Sequence, residues 1–132
     1  CLVSWRICLA QAAVKGMKVT TLDIKSAYLM AKVTEDIYLS VPDGVTPPGP
    51  NLCLKLNKSL YGLKQAGRCW HKLLNQKMKE LGMRQSIADP CLYLNEEDGE
   101  LMTVNVHMDD CCICYSSVAS CCCWRRSISC IW

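Results

Sequence analysis

The stretch VNVHMDDCCI, residues 104–113, decides the fold. Val104 and Val106 alternate with polar positions, two adjacent aspartates follow, and Ile113 resumes the apolar pattern. This pattern predicts a strand, a tight turn and a second strand, with Asp109 and Asp110 at the tip of the hairpin. Because like charges at close range repel unless a cation lies between them, such a tip suits a metal ion.

A third carboxylate ends another short apolar run. Val19 and Leu22 lead into Asp23, and residues 19–24 have the pattern of a strand. Three carboxylates that converge from two strand ends would hold two Mg²⁺ ions, the arrangement used for in-line phosphoryl transfer. Taken alone, an Asp-Asp pair is more often an ordinary surface turn, so the rest of the sequence has to decide.

Charge is distributed unevenly, although the net charge is only +3 over 132 residues. From Lys55 to Arg84 there are eight Lys or Arg and one acidic residue, Glu80. From Gln85 to Asp110 there are seven acidic residues and no Lys or Arg. A basic segment beside an acidic one suits a protein that holds phosphates and metal ions, although a solvated helix face beside an acidic hairpin gives the same pattern.

The twelve cysteines are placed in a way that argues against a disulfide framework or a zinc site. Seven fall from Cys111 onward, and four others stand singly at positions 8, 53, 69 and 91. Scattered free cysteines behave as small core hydrophobes in a reducing compartment. The Cys-rich tail, residues 120–132, lacks zinc-ligand spacing and any helical or strand period, and we expect it to be irregular, frame-shifted or disordered.

Apolar spacing predicts two amphipathic helices. The first ends at Gly16, and the second, which is basic, ends at Gly82. The apolar positions of the first helix are Trp5, Cys8, Leu9, Ala12 and Ala13. Those of the second helix are Trp70, Leu73, Leu74, Met78 and Leu81.

Strands are predicted at 19–24 and 37–41, and a loop at 45–51, where Pro and Gly accumulate. A further hairpin joins 91–94 to 101–108, and the last strand follows the Asp-Asp turn. Helices that pack on an antiparallel sheet give an α+β domain.

The motifs between the carboxylates resemble the reverse transcriptase of copia-type LTR retrotransposons. The similarity runs from about Arg6 to Tyr115, with the motifs in the family's order and spacing. They are LDIKSAYL (22–29), EDIYL (35–39), PDG (42–44), KSLYGLKQA (58–66) and ADPCLY (88–93), followed by the Asp-Asp pair. The resemblance implies that residues 1–119 form a truncated reverse-transcriptase palm with part of the fingers.

The resemblance also implies roles for the three carboxylates. Asp23 and Asp109 would bind both catalytic Mg²⁺ ions, with Asp110 supporting the site. One metal would lower the pKa of the primer 3′-hydroxyl, and the other would neutralise charge on the leaving pyrophosphate. Positioning would then supply most of the catalysis.

A second set of residues would bind the incoming nucleotide if the resemblance holds. The Tyr28 ring would lie under the sugar and exclude a 2′-hydroxyl by steric contact, which selects deoxynucleotides. Tyr61, Gly62, Lys64 and Gln65 would back the nucleotide and the template. Without the resemblance, Tyr28 is more often a core residue and Lys64 a solvated one.

Several departures from the family pattern bear on activity. His107-Met108 stands before the aspartates where the family usually has Tyr-Val, next to the primer strand. Gly67 replaces a proline, and Phe is absent from the chain. The chain also ends before the family's primer-gripping segment, thumb and RNase H domain. We therefore expect a fragment of a pol polyprotein that is inactive when isolated.

Three functions stay open at this point. The first is an RNA-directed DNA polymerase fragment, whose partners would be an RNA/DNA template–primer, deoxynucleotide triphosphates and the rest of the polyprotein, integrase and RNase H included. The second is a catalytically dead remnant of a decayed element. The third is a small basic nucleic-acid-binding or Cys-rich metal-binding module. No membrane segment is expected, and the resemblance implies an intracellular location, in cytoplasmic virus-like particles.

Overall fold

The structure, a computed structural model, describes residues 2–46, 49, 52–97 and 99–116. Three helices and seven strands lie within these ranges. In chain order they are α1 Leu2–Lys15, β1 Lys18–Asp23, α2 Ala27–Met30, β2 Tyr38–Ser40, β3 Cys53–Lys55, α3 Ala66–Glu80, β4 Arg84–Gln85, β5 Leu92–Glu97, β6 Glu100–His107 and β7 Asp110–Tyr115. The predicted α+β class is confirmed. The predicted tail, residues 120–132, lies outside the described residues.

A five-stranded sheet carries the predicted hairpins, with strand order β1-β7-β6-β5-β4. Every neighbouring pair in it is antiparallel. In this order, β7 lies between its hairpin partner β6 and the edge strand β1. β1 is therefore paired with the strand that begins at Asp110, although most of the chain lies between them in sequence.

Helix α1 packs on this sheet through a small cluster rich in cysteine. Cys8 and Ala12 of the helix meet Cys112 and Cys114 of β7, and partly buried apolar side chains surround them. The surrounding residues are Trp5, Met17 and Leu92. The predicted apolar face of α1 was too broad, because Leu9 and Ala13 are exposed. Small side chains such as Cys and Ala allow the helix and the sheet to approach closely.

Helix α3 follows the predicted apolar spacing and ends where expected. Trp70, Leu74 and Met78 are buried on one face. Gly82 has φ +75°, and its N–H bonds the Lys79 carbonyl while the Met83 N–H bonds the Met78 carbonyl. These two bonds form a Schellman motif, in which glycine takes the left-handed position without a Cβ penalty.

The ADPCLY motif is built into the fold through Asp89. Ser4 of α1 donates a hydrogen bond to the Asp89 carboxylate, and the Cys91 N–H donates to the same side chain at 2.9 Å. The bond from Ser4 lowers the pKa of Asp89, and the Cys91 N–H lowers it further against the opposing effect of burial. The motif thus ties α1 to the start of β5.

The chain divides into two compact units, residues 1–25 with 73–132, and residues 26–72. The second unit contains α2 and the two-stranded sheet of β2 and β3. Short elements are weakly specified by sequence pattern, and α2, β3 and β4 were not predicted. Cys53 on β3 is exposed, so the expectation of a core role is wrong for this cysteine. Among the described helices, none is long and apolar enough to cross a membrane.

The buried centre of β7 gives a direct test of the fold. Ile113 is 0% exposed and Ile87 is 100% exposed, so the same substitution can be compared at two extremes. We expect Ile113→Ala to lower the free energy of unfolding by about 2–5 kcal/mol, because it leaves a cavity. Ile87→Ala should change it by less than about 0.5 kcal/mol. Urea denaturation followed by circular dichroism measures both, and equal effects would contradict the buried position of β7.

Candidate catalytic carboxylate site

The tip of the β6–β7 hairpin is a two-residue turn formed by Met108 and Asp109. Met108 has φ 59°, and Asp109 is not among the residues with positive φ. Positive φ at the first central residue alone is the pattern of a type II′ turn, which suits the twist of a hairpin. The turn closes on the pair His107 and Asp110. The predicted Asp-Asp tip is confirmed, with Asp109 in the turn and Asp110 opening β7.

Asp23 lies beside this tip through the pairing of β1 with β7. Asp23 and Asp110 are partners in the register, and the Ile24 N–H donates to the Asp109 carbonyl at 2.9 Å. The Ile24 N–H bonds the Asp109 carbonyl beyond this pair, so Asp23 and Asp110 form a non-hydrogen-bonded pair, in which the Cα atoms lie roughly 4.5 Å apart and both side chains leave the same face. Asp23 and Asp110 therefore lie side by side, and Asp109 adjoins them in the turn.

All three carboxylates affect the pKa of the buried Cys111 thiol. Burial, together with the negative charges of Asp110, Asp109 and Asp23, raises the pKa of Cys111 to about 12. Asp23 and Asp110 are exposed and Asp109 is half-buried. The site is thus a group of solvent-accessible carboxylates next to an uncharged, buried thiol.

The donor chemistry at the tip fits Mg²⁺, which prefers carboxylate oxygens and retains several water ligands. Open carboxylates leave room for those waters and for a substrate phosphate. Within the described parts of the chain, no group of three or more His, Cys, Asp or Glu side chains is placed so that it could hold a metal ion. The carboxylates are therefore neighbours in the fold without forming a closed cage.

The predicted nucleotide-binding residues lie in the second unit. Tyr28 and Tyr61 are in contact, with ring centroids 4.9 Å apart and ring planes at 89°. Gly62 follows with φ +92°, a left-handed conformation that favours glycine. Lys64 is exposed and Gln65 is half-buried. The structure joins the two tyrosines, which sequence motifs had identified separately.

The predicted primer-side residues, His107 and Met108, are both exposed at the hairpin. His107 and Asp110 line a cavity of about 240 Å³ together with Leu2 and Trp5 of α1. Sequence reasoning missed this wall from α1. Nothing in the sequence pairs the start of α1 with the hairpin.

Comparison with known protein families identifies the family to which the chain belongs. The family model described as reverse transcriptase (RNA-dependent DNA polymerase) matches residues 2–128. The chain belongs to the reverse transcriptase family. The predicted resemblance is confirmed, and the carboxylate hairpin of this reverse transcriptase segment lies well inside the matched range.

Relatives of the reverse transcriptase segment are copia-type Pol polyproteins of transposons. It is 34% identical over 108 residues to the retrovirus-related Pol polyprotein from transposon RE1 of Arabidopsis thaliana, which covers 81% of the chain and 7% of that relative. It is 35% identical over 111 residues to that from transposon TNT 1-94 of Nicotiana tabacum, which covers 83% of the chain and 8% of the relative.

A yeast relative shows similar identity over a shorter range. The truncated transposon Ty1-A Gag-Pol polyprotein of Saccharomyces cerevisiae is 35% identical over 94 residues, covering 70% of the chain and 7% of that protein. The reverse transcriptase segment thus spans less than a tenth of the length of each of these three relatives. No solved structure matches it.

Because Met108 has a positive φ, we expect its replacement by glycine to stabilise the fold. A side chain in the left-handed region is strained, so Met108→Gly should raise the free energy of unfolding by about 0.5–1 kcal/mol after the entropy of the unfolded chain is counted. The exposed Ile87 has no positive φ, and Ile87→Gly should lower the same quantity by about 0.4–1 kcal/mol. Paired urea denaturation curves give the sign at each position. Destabilisation by glycine at both would contradict the type II′ turn.

Proposed function

We propose that this reverse transcriptase segment contributes the catalytic centre of RNA-directed DNA synthesis within a copia-type pol polyprotein. One observation carries the proposal. The register of β1 and β7 brings Asp23 beside Asp110, and the Ile24 N–H bonds the carbonyl of Asp109. In the family these positions hold the acidic residues of nucleotidyl transfer, which supports the assignment.

In this proposal the carboxylates serve as anionic ligands. Asp23 and Asp109 hold two Mg²⁺ ions, and Asp110 contributes negative charge beside them. The bound ions supply activation of the primer 3′-hydroxyl and neutralisation of the leaving pyrophosphate. Strand pairing fixes the backbone at Asp23, and the turn fixes the backbone at Asp109. The side chains of both would still have to turn toward the ions when these bind.

The second unit takes the role of nucleotide recognition in the proposal. Tyr28 lies under the sugar and selects deoxynucleotides, while Tyr61, Gly62, Lys64 and Gln65 contact nucleotide or template. The positive charge of the exposed Lys64 suits a phosphate contact. The α+β unit with the five-stranded sheet corresponds in this proposal to the palm, and part of the second unit to the fingers.

The proposed partners follow from the same family assignment. An RNA/DNA template–primer would pass the exposed His107 and Met108 on the primer side, and integrase and RNase H would be supplied by the same polyprotein. Cytoplasmic virus-like particles are the proposed location.

A catalytically dead remnant is the second candidate, and His107 favours it. The family usually carries tyrosine at this position, where the ring packs near the primer strand. Imidazole is smaller and polar, so it supports the primer terminus less well. The carboxylate site would then keep its geometry but would no longer catalyse nucleotidyl transfer.

Primer extension separates these two candidates. We expect the chain, joined to the thumb of a copia-type relative and carrying His107→Tyr, to extend a primed RNA template with deoxynucleotides and Mg²⁺. Asp109→Asn should slow extension by at least about 100-fold, because metal-assisted charge stabilisation contributes several kcal/mol. The exposed loop aspartate Asp43 offers a matched control, and Asp43→Asn should leave the rate unchanged.

The unmodified chain supplies the last arm of this experiment. Alone, it should extend no faster than its own Asp109→Asn variant, because its basic residues give only salt-sensitive attraction to phosphates. In the thumb-joined His107→Tyr protein, extension that is equally fast with Asn at position 109 would contradict the metal role of the aspartate. A thumb-joined His107→Tyr protein that fails to extend would support the remnant.

A further inference from the structure

The rings of Tyr28 and Tyr61 are in edge-to-face contact. The centroid distance of 4.9 Å and the angle of 89° match the preferred T-shaped arrangement of aromatic pairs. This arrangement places the positive edge of one ring against the negative face of the other. It therefore favours one orientation of each ring over the alternatives.

Backbone hydrogen bonds bring the two tyrosines together from separate motifs. The Ser59 N–H donates to the Ala31 carbonyl at 2.8 Å, and Lys32 and Lys58 form an isolated antiparallel bridge. Each bonded position lies within four residues of the nearer tyrosine. The main chain that carries Tyr28 is thus fastened to the main chain that carries Tyr61, independently of their side chains.

Burial beneath the pair fixes the backbone while leaving the rings accessible. Ala27, Ala31 and Ser59 are buried next to them in sequence. Tyr28 itself is half-buried, and Tyr61 is 57% exposed. The Tyr61 ring is more than half exposed and contributes little to the core. Removing the ring would therefore mainly remove its contact with Tyr28.

We propose that Tyr61 is a positioning residue that holds the Tyr28 ring in the orientation required to exclude a ribose 2′-hydroxyl. The inference rests on the proposed role of Tyr28 in selecting deoxynucleotides. Steric exclusion depends on the angle and position of the excluding ring, and Tyr28 has free rotation about its side-chain bonds unless a neighbour restricts it. Tyr61 supplies that restriction through its ring, and its hydroxyl is not needed.

Nucleotide binding by four variants of the whole chain tests the proposal. Binding of dATP and of ATP is measured in Mg²⁺ by ligand-observed NMR, and the ratio of the two affinities is the selectivity. Tyr61→Leu should lower the selectivity about fivefold, the factor that corresponds to an edge-to-face pair. Tyr61→Phe should retain it, since the ring remains. Tyr28→Ala should abolish it, and Tyr38→Leu is the matched control, because Tyr38 is 54% exposed in the same unit.

Ring resonances of Tyr28 provide a second readout that does not depend on binding. Tyr61→Leu should shift them, because the ring current of the neighbour is removed, while Tyr61→Phe and Tyr38→Leu should leave them in place. Backbone amide shifts of residues 26–33 should stay constant in all three, which shows that the segment is folded. A Tyr28 ring signal unaffected by Tyr61→Leu would overturn the positioning role.

The outcomes distinguish this inference from the function on which it rests. If the wild-type chain binds neither nucleotide, the proposed nucleotide role and the positioning role both fail. If Tyr28→Ala abolishes selectivity and Tyr61→Leu preserves it, the positioning role alone fails. If Tyr61→Leu weakens dATP and ATP equally, Tyr61 contributes to binding without setting the selectivity, and the positioning role is again wrong. Loss of selectivity in Tyr61→Leu with retention in Tyr61→Phe supports it.

Discussion

The antiparallel pairing of β1 with β7 is the constraint on which the site depends. The hydrogen bond from the Ile24 N–H to the Asp109 carbonyl fixes the register at the end of the ladder. In that register Asp23 faces Asp110, whereas a shift of one residue would send Asp23 to the opposite face of the sheet. Like charges disfavour this arrangement, so the stability of the sheet has to offset the repulsion unless a cation is bound.

The core beneath the carboxylates provides that stability with small and apolar side chains. Cys112 and Cys114 pack against Cys8 and Ala12 of α1, and burial raises the pKa of the Cys112 thiol to about 11. The Cys112 thiol stays protonated at neutral pH and acts as a small hydrophobic group. A cluster of this kind lets α1 lie close to the strand that starts at Asp110. The unusual cysteine content of β7 is thus a packing feature of the described fold.

How far the sequence determined the fold differs between its parts. Alternation through Val104 and Val106 was sufficient for the hairpin, because its strands are long, although Met102 to Val106 are buried without a break. Gly82 was sufficient for the end of α3, because its backbone conformation favours glycine. The two-residue β4 and the four-residue α2 were not predicted, because so short a segment is not long enough to show a hydrophobic period. The Tyr28–Tyr61 contact escaped as well, because it depends on pairing between distant segments.

Binding of Mn²⁺, a paramagnetic substitute for Mg²⁺, tests most directly whether the hairpin gathers three carboxylates around a cation. Amide signals of an isotope-labelled chain are recorded during a Mn²⁺ titration. We expect the signals of Asp23, Ile24, Asp109 and Asp110 to broaden first, Mg²⁺ to restore them, and Asp23→Asn to weaken the effect. Broadening centred on other acidic residues, such as Glu96 and Glu97, with no change in Asp23→Asn, would contradict it.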